Sequence, residues 1–232
     1  MQIEQYKIKR AGYRLTNTVN PGQKEVDEKL RLLYSKKTFV SVSIKHPWFI
    51  ESETNEGYWK LKIFLTWLFS KYNSISFFIA DSLYRYNLNL NLSSHNYGFE
   101  EAIELGSVQK MNILEVINEI VLNNCNFDFV LASDVFKNAI FQDILKRVFF
   151  YYNNDVAFKN AVIHSAEAYF YRKSKNGFCY LYQQRDIKSS TEFINEEIAY
   201  FTYLTKVLGF ETNIYPGDFL YVFKSLDFEK YP

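Results

Sequence analysis

Apolar and polar positions follow two alternating rhythms along this 232-residue chain. Short runs dense in β-branched and aromatic residues predict buried strands at Phe39–Ile44 (FVSVSI), Ser74–Ala80 (SISFFIA) and Phe127–Ala132 (FDFVLA). The segments between them have helical period. Tyr58–Tyr72 sets Leu61, Phe64, Leu65 and Leu68 at i, i+3, i+4 and i+7 on one face. Further helices are predicted over Phe99–Leu122, Asp134–Tyr152 and Asp155–Lys173. A last one is expected from Ser189 or Ser190 to about Leu208, with Glu192 in its first turn and Gly209 past its end. Strands near Glu211–Ile214 and Phe219–Phe223 finish the chain. Short apolar strands separated by amphipathic helices imply βαβ units. The expected fold is α/β: a parallel sheet of about five strands flanked by helices, a single domain over 1–232, with residues 1–35 as a basic N-terminal segment. The carboxyl edge of such a sheet, where open α/β folds place ligands, collects Ser43, Asp81 and the residues after Ala132.

Composition narrows the class. Hydrophobic residues make up 48% of the chain, enough for a sizeable core. Gly (8) and Pro (4) are scarce, which argues against a turn-rich sandwich or barrel. Two cysteines, Cys125 and Cys179, make neither a disulfide framework nor a four-cysteine zinc site. The start, MQIEQYKIKRAGYRL, has no apolar core behind a basic leader, and Ile63–Phe69 is too short to span a bilayer. A soluble, cytoplasmic protein with no membrane partner is expected. The net charge of +1 hides an asymmetry. Residues 1–50 carry ten Lys/Arg against four Asp/Glu, whereas residues 98–143 carry two against eight. The basic segment suits an anionic partner such as RNA, or serves as a solvated surface.

The common site motifs are absent. No G-x-G-x-x-G follows the first strand, no P-loop occurs, and Ser43 lies outside a G-x-S-x-G elbow. The three histidines, His46, His95 and His164, form no metal-binding pattern, and neither metal nor cofactor is expected. His46 stands three residues from Ser43 as a candidate base or an ordinary loop residue. In the run Phe193-Ile194-Asn195-Glu196-Glu197-Ile198-Ala199, Glu197 flanks the apolar stripe of Ile194, Ile198, Phe201 and Leu204. A carboxylate there is a candidate proton acceptor, while Glu196 reads as solvated. Tyr215-Pro216 places a hydroxyl before a turn, as a cleft residue or a core aromatic.

In order and spacing, from about Thr38 to Phe223, these pieces resemble the cyclodipeptide synthases. That family's first motif, H-x-[LVI]-[LVI]-G-[LVI]-S, is similar to Lys37-Thr38-Phe39-Val40-Ser41-Val42-Ser43, with Lys37 for His and Ser41 for Gly. Its second, Y-[LVI]-x-x-E-x-P, is similar to Phe193–Ala199, with the glutamate kept and Phe193 replacing Tyr. Tyr215-Pro216, with His46 in place of Asn, resembles the group of the family that carries a Tyr-Pro pair.

The resemblance implies a Rossmann-like catalytic domain, similar to class I tyrosyl-tRNA synthetases, that takes two aminoacyl-tRNAs in turn and makes a cyclic dipeptide. It implies Ser43 as acyl carrier, Glu197 as holder of the substrate amino group and Tyr215 as proton relay. Ser41, His46, Phe193 and Pro216 are then substrate-binding. Tyr200 or Tyr180 is a candidate for the hydroxyl that Phe193 lacks. The family's tRNA-contacting helix is usually basic, and the matching stretch here is acidic, so Lys36, Lys37 and Lys45 are the expected tRNA contacts. Two alternatives stay open: a non-catalytic RNA- or nucleotide-binding Rossmann-like module, and a small-molecule serine hydrolase using Ser43 and His46.

Overall fold

The computed structural model describes residues 2–9, 12–15, 37–42, 44, 55–88, 97–120, 126–175, 184–216 and 222. Six strands lie among them: β1 (Gln2–Lys9), β2 (Gly12–Leu15), β3 (Thr38–Val42), β4 (Ser74–Ile79), β5 (Asn126–Leu131) and β6 (Thr212–Pro216). They form one sheet in the order β2-β1-β6-β3-β4-β5. All neighbours are parallel except the edge pair β1–β2. The α/β expectation holds, with six strands in place of about five.

The surplus comes from the N-terminal segment. In QIEQYKIK apolar residues fall at 3, 6 and 8, which breaks the period of two. Backbone pairing to β6 and β2 supplies what the pattern does not show. Residues 2–9 and 12–15 of the basic N-terminal segment are therefore strands of the sheet. At the other end, only Val222 of Phe219–Phe223 is described. It is helical rather than extended, and its N–H donates to Ser165 Oγ at 2.8 Å.

Helices cover both faces, as parallel sheets require. Val40, Val42, Phe77, Ile79 and Ile214 meet Leu61, Phe64, Leu65 and Leu68 of α1 (Asn55–Lys71). The same layer includes Ile113, Val116 and Ile117 of α3 (Tyr97–Asn118). A short 3₁₀ turn (Ser82–Tyr84) and α2 (Arg85–Leu88) follow β4. The other face carries α5 (Ala139–Asn154), α6 (Val156–Lys175) and α7 (Gln184–Thr202), packed on Phe39 and Phe78.

Several helix boundaries differ from expectation: α1 starts at Asn55 rather than Tyr58, and α3 ends at Asn118 rather than Leu122. The predicted Asp134–Tyr152 helix is broken into α4 (Ala132–Phe136) and α5, because Asn138 turns extended and caps Ile140 N–H through its side chain at 2.9 Å. α7 starts at Gln184, not at Ser189 or Ser190. Thr191 bonds back to the Lys188 carbonyl at 2.8 Å, so hydroxyl residues sit inside the helix without ending it. A π-turn (Tyr203–Val207) closes it, followed by Gly209 at φ 72°, the left-handed position glycine adopts without strain.

Among the described residues no helix is long and apolar enough to cross a membrane. Gly106 of α3 passes directly over the end of β4: a Cβ there would lie 2.3 Å from Asp81 Cβ. Gly106→Ala should therefore destabilise the protein by about 1–3 kcal/mol by overpacking, reversing alanine's usual helix advantage. Urea unfolding measures it, and a stabilised variant would contradict this packing.

Candidate active site

The strand order reverses at β3. The chain moves outward through β4 and β5, while β6, from the far end of the sequence, lies on the other side. In open α/β sheets the crevice for a ligand opens at such a switch point, outside the carboxyl ends of the strands. β3 ends at Val42, the residue before Ser43 in sequence, and β6 ends with Tyr215 and Pro216. Ser43, His46, Lys36, Lys45 and Tyr180 lie outside the described residues, as do the side chains of Tyr215 and Pro216.

α7 roofs this region. Every residue from Ile194 to Thr202 is buried. A helix buried all round is normally apolar all round, yet this one carries Asn195, Glu196 and Glu197 in succession. Phe201 meets Phe39, near the amino end of β3, at a centroid distance of 5.7 Å. Helices that follow parallel strands run back along the sheet, so Glu197, one turn earlier, lies nearer the carboxyl edge. Its side chain is 5% exposed. Asn195 is also buried, and neither polar atom of its amide finds a hydrogen-bond partner among the described residues. Such a group is rare in a folded interior and marks a place where stability has been given up.

Glu196 is not solvated, contrary to expectation. It is 1% exposed and faces Arg85 of α2. Arg85 Nη1 donates to Glu196 Oε1 at 2.9 Å and Nη2 to Oε2, a two-pronged match of guanidinium to carboxylate. Tyr86 donates its hydroxyl proton to the same Oε2 at 2.9 Å. Burial and the Glu196 charge push the Tyr86 phenol well above its ordinary range, so it stays protonated. Sequence reasoning missed Arg85, Tyr86 and Glu196. The available signal was an Arg-Tyr pair four residues beyond the Asp81 that ends a buried strand.

Tyr200 is removed as a source of the hydroxyl absent from Phe193. It is fully buried, donates to the Ala132 carbonyl at 3.0 Å and lies 2.9 Å from Ser82 Oγ. Phe193 instead meets the ring of Tyr86 edge-on, at 6.4 Å and 88°. Ser41 donates to Asn213 Oδ1 at 3.0 Å, joining β3 to β6 beneath α7. Lys37 sits at the amino end of β3, where its ammonium donates to the Leu208 carbonyl at 2.7 Å and lies 4.5 Å from the Phe210 ring centre. That contact gives its charge a partner within the fold.

Asp81 stitches the carboxyl ends of β4 and β5. It accepts from Ser82 N and Ser133 N at 2.8 Å each, and from Ser133 Oγ at 2.6 Å. Burial, the largest influence, raises its pKa against the pull of these donors. An acid with a raised folded pKa is most stabilising below its unfolded value of about 3.9, and that contribution is lost as pH rises through the folded one. Asp81→Asn keeps the shape and never ionises. Its stability relative to the native chain should therefore improve from pH 4 to pH 8 in urea titrations. A difference that stays constant or falls would contradict the raised pKa.

No family model matches the sequence, and no curated protein matches it either. Solved structures do. A cyclodipeptide synthase from Fluoribacter dumoffii superposes with TM-score 0.71 at 14% identity, covering 96% of this chain and 88% of that one. The enzyme from Candidatus Glomeribacter gigasporarum, bound to Phe-tRNAPhe, gives 0.64 at 18%, covering 90% and 88%. A Mycobacterium tuberculosis protein, described as relating cyclodipeptide synthetases to type I tRNA synthetases, gives 0.60 at 11%, covering 81% and 75%. The chain has the cyclodipeptide synthase fold.

Proposed function

We propose that the chain is a tRNA-dependent cyclodipeptide synthase, an aminoacyltransferase whose 232 residues form one catalytic domain. The observation that carries this reading is Glu197: a buried carboxylate on the helix that roofs the switch point, in a fold shared with enzymes of that activity.

The chemistry follows from groups this chain supplies. Ser43 Oγ attacks the ester carbonyl of a first aminoacyl-tRNA. Its ester forms as the tRNA ester breaks, and the tRNA leaves with its hydroxyl restored. One ester replaces another, so the step needs no nucleotide. Glu197 holds the α-amino group of the bound aminoacyl moiety through a charge-assisted contact. A second aminoacyl-tRNA then binds. Each of two amines attacks one of the two esters, forming two amide bonds and releasing the second tRNA and Ser43. Tyr215 relays the protons that the amines lose and the departing oxygens gain. Ser41, His46, Phe193 and Pro216 shape the aminoacyl pocket. Lys36, Lys37 and Lys45 meet tRNA phosphates, which makes KM rise with salt. Lys37 gives up the Leu208 carbonyl to do so.

Incubation with a panel of radiolabelled aminoacyl-tRNAs should label the protein, and Ser43→Ala should abolish the label while leaving the circular dichroism spectrum unchanged. Glu197→Gln, which loses the charge-assisted contact, should lower kcat/KM by about 30–100-fold. Absence of label from every aminoacyl-tRNA would favour a binding module. Labelling by simple esters alone would favour a hydrolase.

A further inference from the structure

We propose that Arg85, Tyr86 and Glu196 act together as a positioning unit that sets the direction of Glu197; this rests on the proposed role of Glu197. Apolar packing holds α7 against the sheet but is non-directional, and buried apolar residues lie on every side of it. Rotation of the helix about its axis is fixed by polar ties, which tolerate little misalignment.

The tie at Glu196 is built to be directional. Both guanidinium nitrogens of Arg85 engage the carboxylate. Nη1 also donates to the Ser82 carbonyl at 2.7 Å, and Nη2 to the Tyr86 hydroxyl at 3.0 Å. The guanidinium carbon lies 4.4 Å from the Tyr86 ring centre, 5.3 Å from that of Phe136 and 5.6 Å from that of Phe99. The plane of the fork is thus fixed from several sides, and the fork admits the carboxylate in one orientation. Tyr86 extends the grip, since its ring also meets Phe193. The unit therefore holds α7 at residues 193 and 196, one turn before Glu197 and immediately beside it.

Stability alone does not call for this arrangement. A buried ion pair is often matched or bettered by well-packed apolar residues. What an apolar pair cannot reproduce is direction. A displacement of about 1 Å at a reacting group costs up to 100-fold in rate.

The test uses the double variant Arg85→Met/Glu196→Leu, with Arg85→Lys and Tyr86→Phe beside it. The double variant should melt within about 5 °C of the native protein, because no charge is left unpaired. Its single-turnover rate of Ser43 labelling should fall by about 10–100-fold, with KM for aminoacyl-tRNA changed less than threefold. Tyr86→Phe and Arg85→Lys, which keep most of the packing, should each slow labelling by about 3–10-fold. On a Glu197→Gln background the same substitutions should cost nothing more, because the group they aim is already disabled. A purely structural role gives native labelling rates in every variant that melts normally, or equal losses with and without Glu197, and either overturns the proposal. If the double variant does not fold, the two conservative variants decide by the same criteria. Native protein that no aminoacyl-tRNA labels overturns the proposed function, and this inference with it.

Discussion

Burying an unpaired charge costs several kcal/mol, and the helix at the centre of this protein buries two carboxylates side by side. The surroundings of α7 answer to that constraint. Arg85 stands where it does because Glu196 must be neutralised. The 3₁₀ turn and α2 after β4 are shaped to bring Arg85 there, through Ser82 and through the aromatic walls of Tyr86, Phe99 and Phe136. Tyr200 and Asp81 complete the stitching of α7, β4 and β5 at the same edge. Asp81, Ser82 and Ser133 at the carboxyl ends of β4 and β5, with Asn195, Glu196 and Glu197 of α7, gather many of the buried polar groups of this interior.

The two faces of the sheet have different tasks. The face under α1 and α3 is a conventional apolar layer of Leu61, Phe64, Leu65 and Leu68 against Phe77 and Ile214. The face under α7 mixes aromatic packing with Ser41, Asn213 and the buried polar residues of the helix. Asn195, whose side-chain amide has no hydrogen-bond partner among the described residues, belongs to that second face. Protein interiors accept such departures from local rules chiefly at functional sites.

Much of this was legible in the sequence. The runs around Phe39 and Phe77 announce buried parallel strands, and the stripe of Leu61, Phe64, Leu65 and Leu68 announces the helix against them; the run around Phe129 announces a strand that is parallel but, at the edge of the sheet, only partly buried. β1 and β2 were hidden, because their side-chain pattern is irregular and long-range backbone pairing defines them. The break between α4 and α5 was hidden for a related reason: one Asn cap outweighs a continuous helical pattern. At the site, Glu197 could be singled out from the stripe beside it. Glu196 could not, since only its distance from Arg85, 111 residues away in sequence, makes it a buried ion pair. The stretch Ile194–Thr202 of α7, which reads as amphipathic in isolation, is buried all round once α5, α6 and the sheet enclose it.

Mass spectrometry of the medium of a host producing this chain decides whether its buried carboxylates serve peptide formation from aminoacyl-tRNA. A new compound should appear with the mass of two amino-acid residues joined in a ring, and it should be missing from the host producing Ser43→Ala. Folded, abundant protein in a host with charged tRNAs and no such compound would contradict that reading.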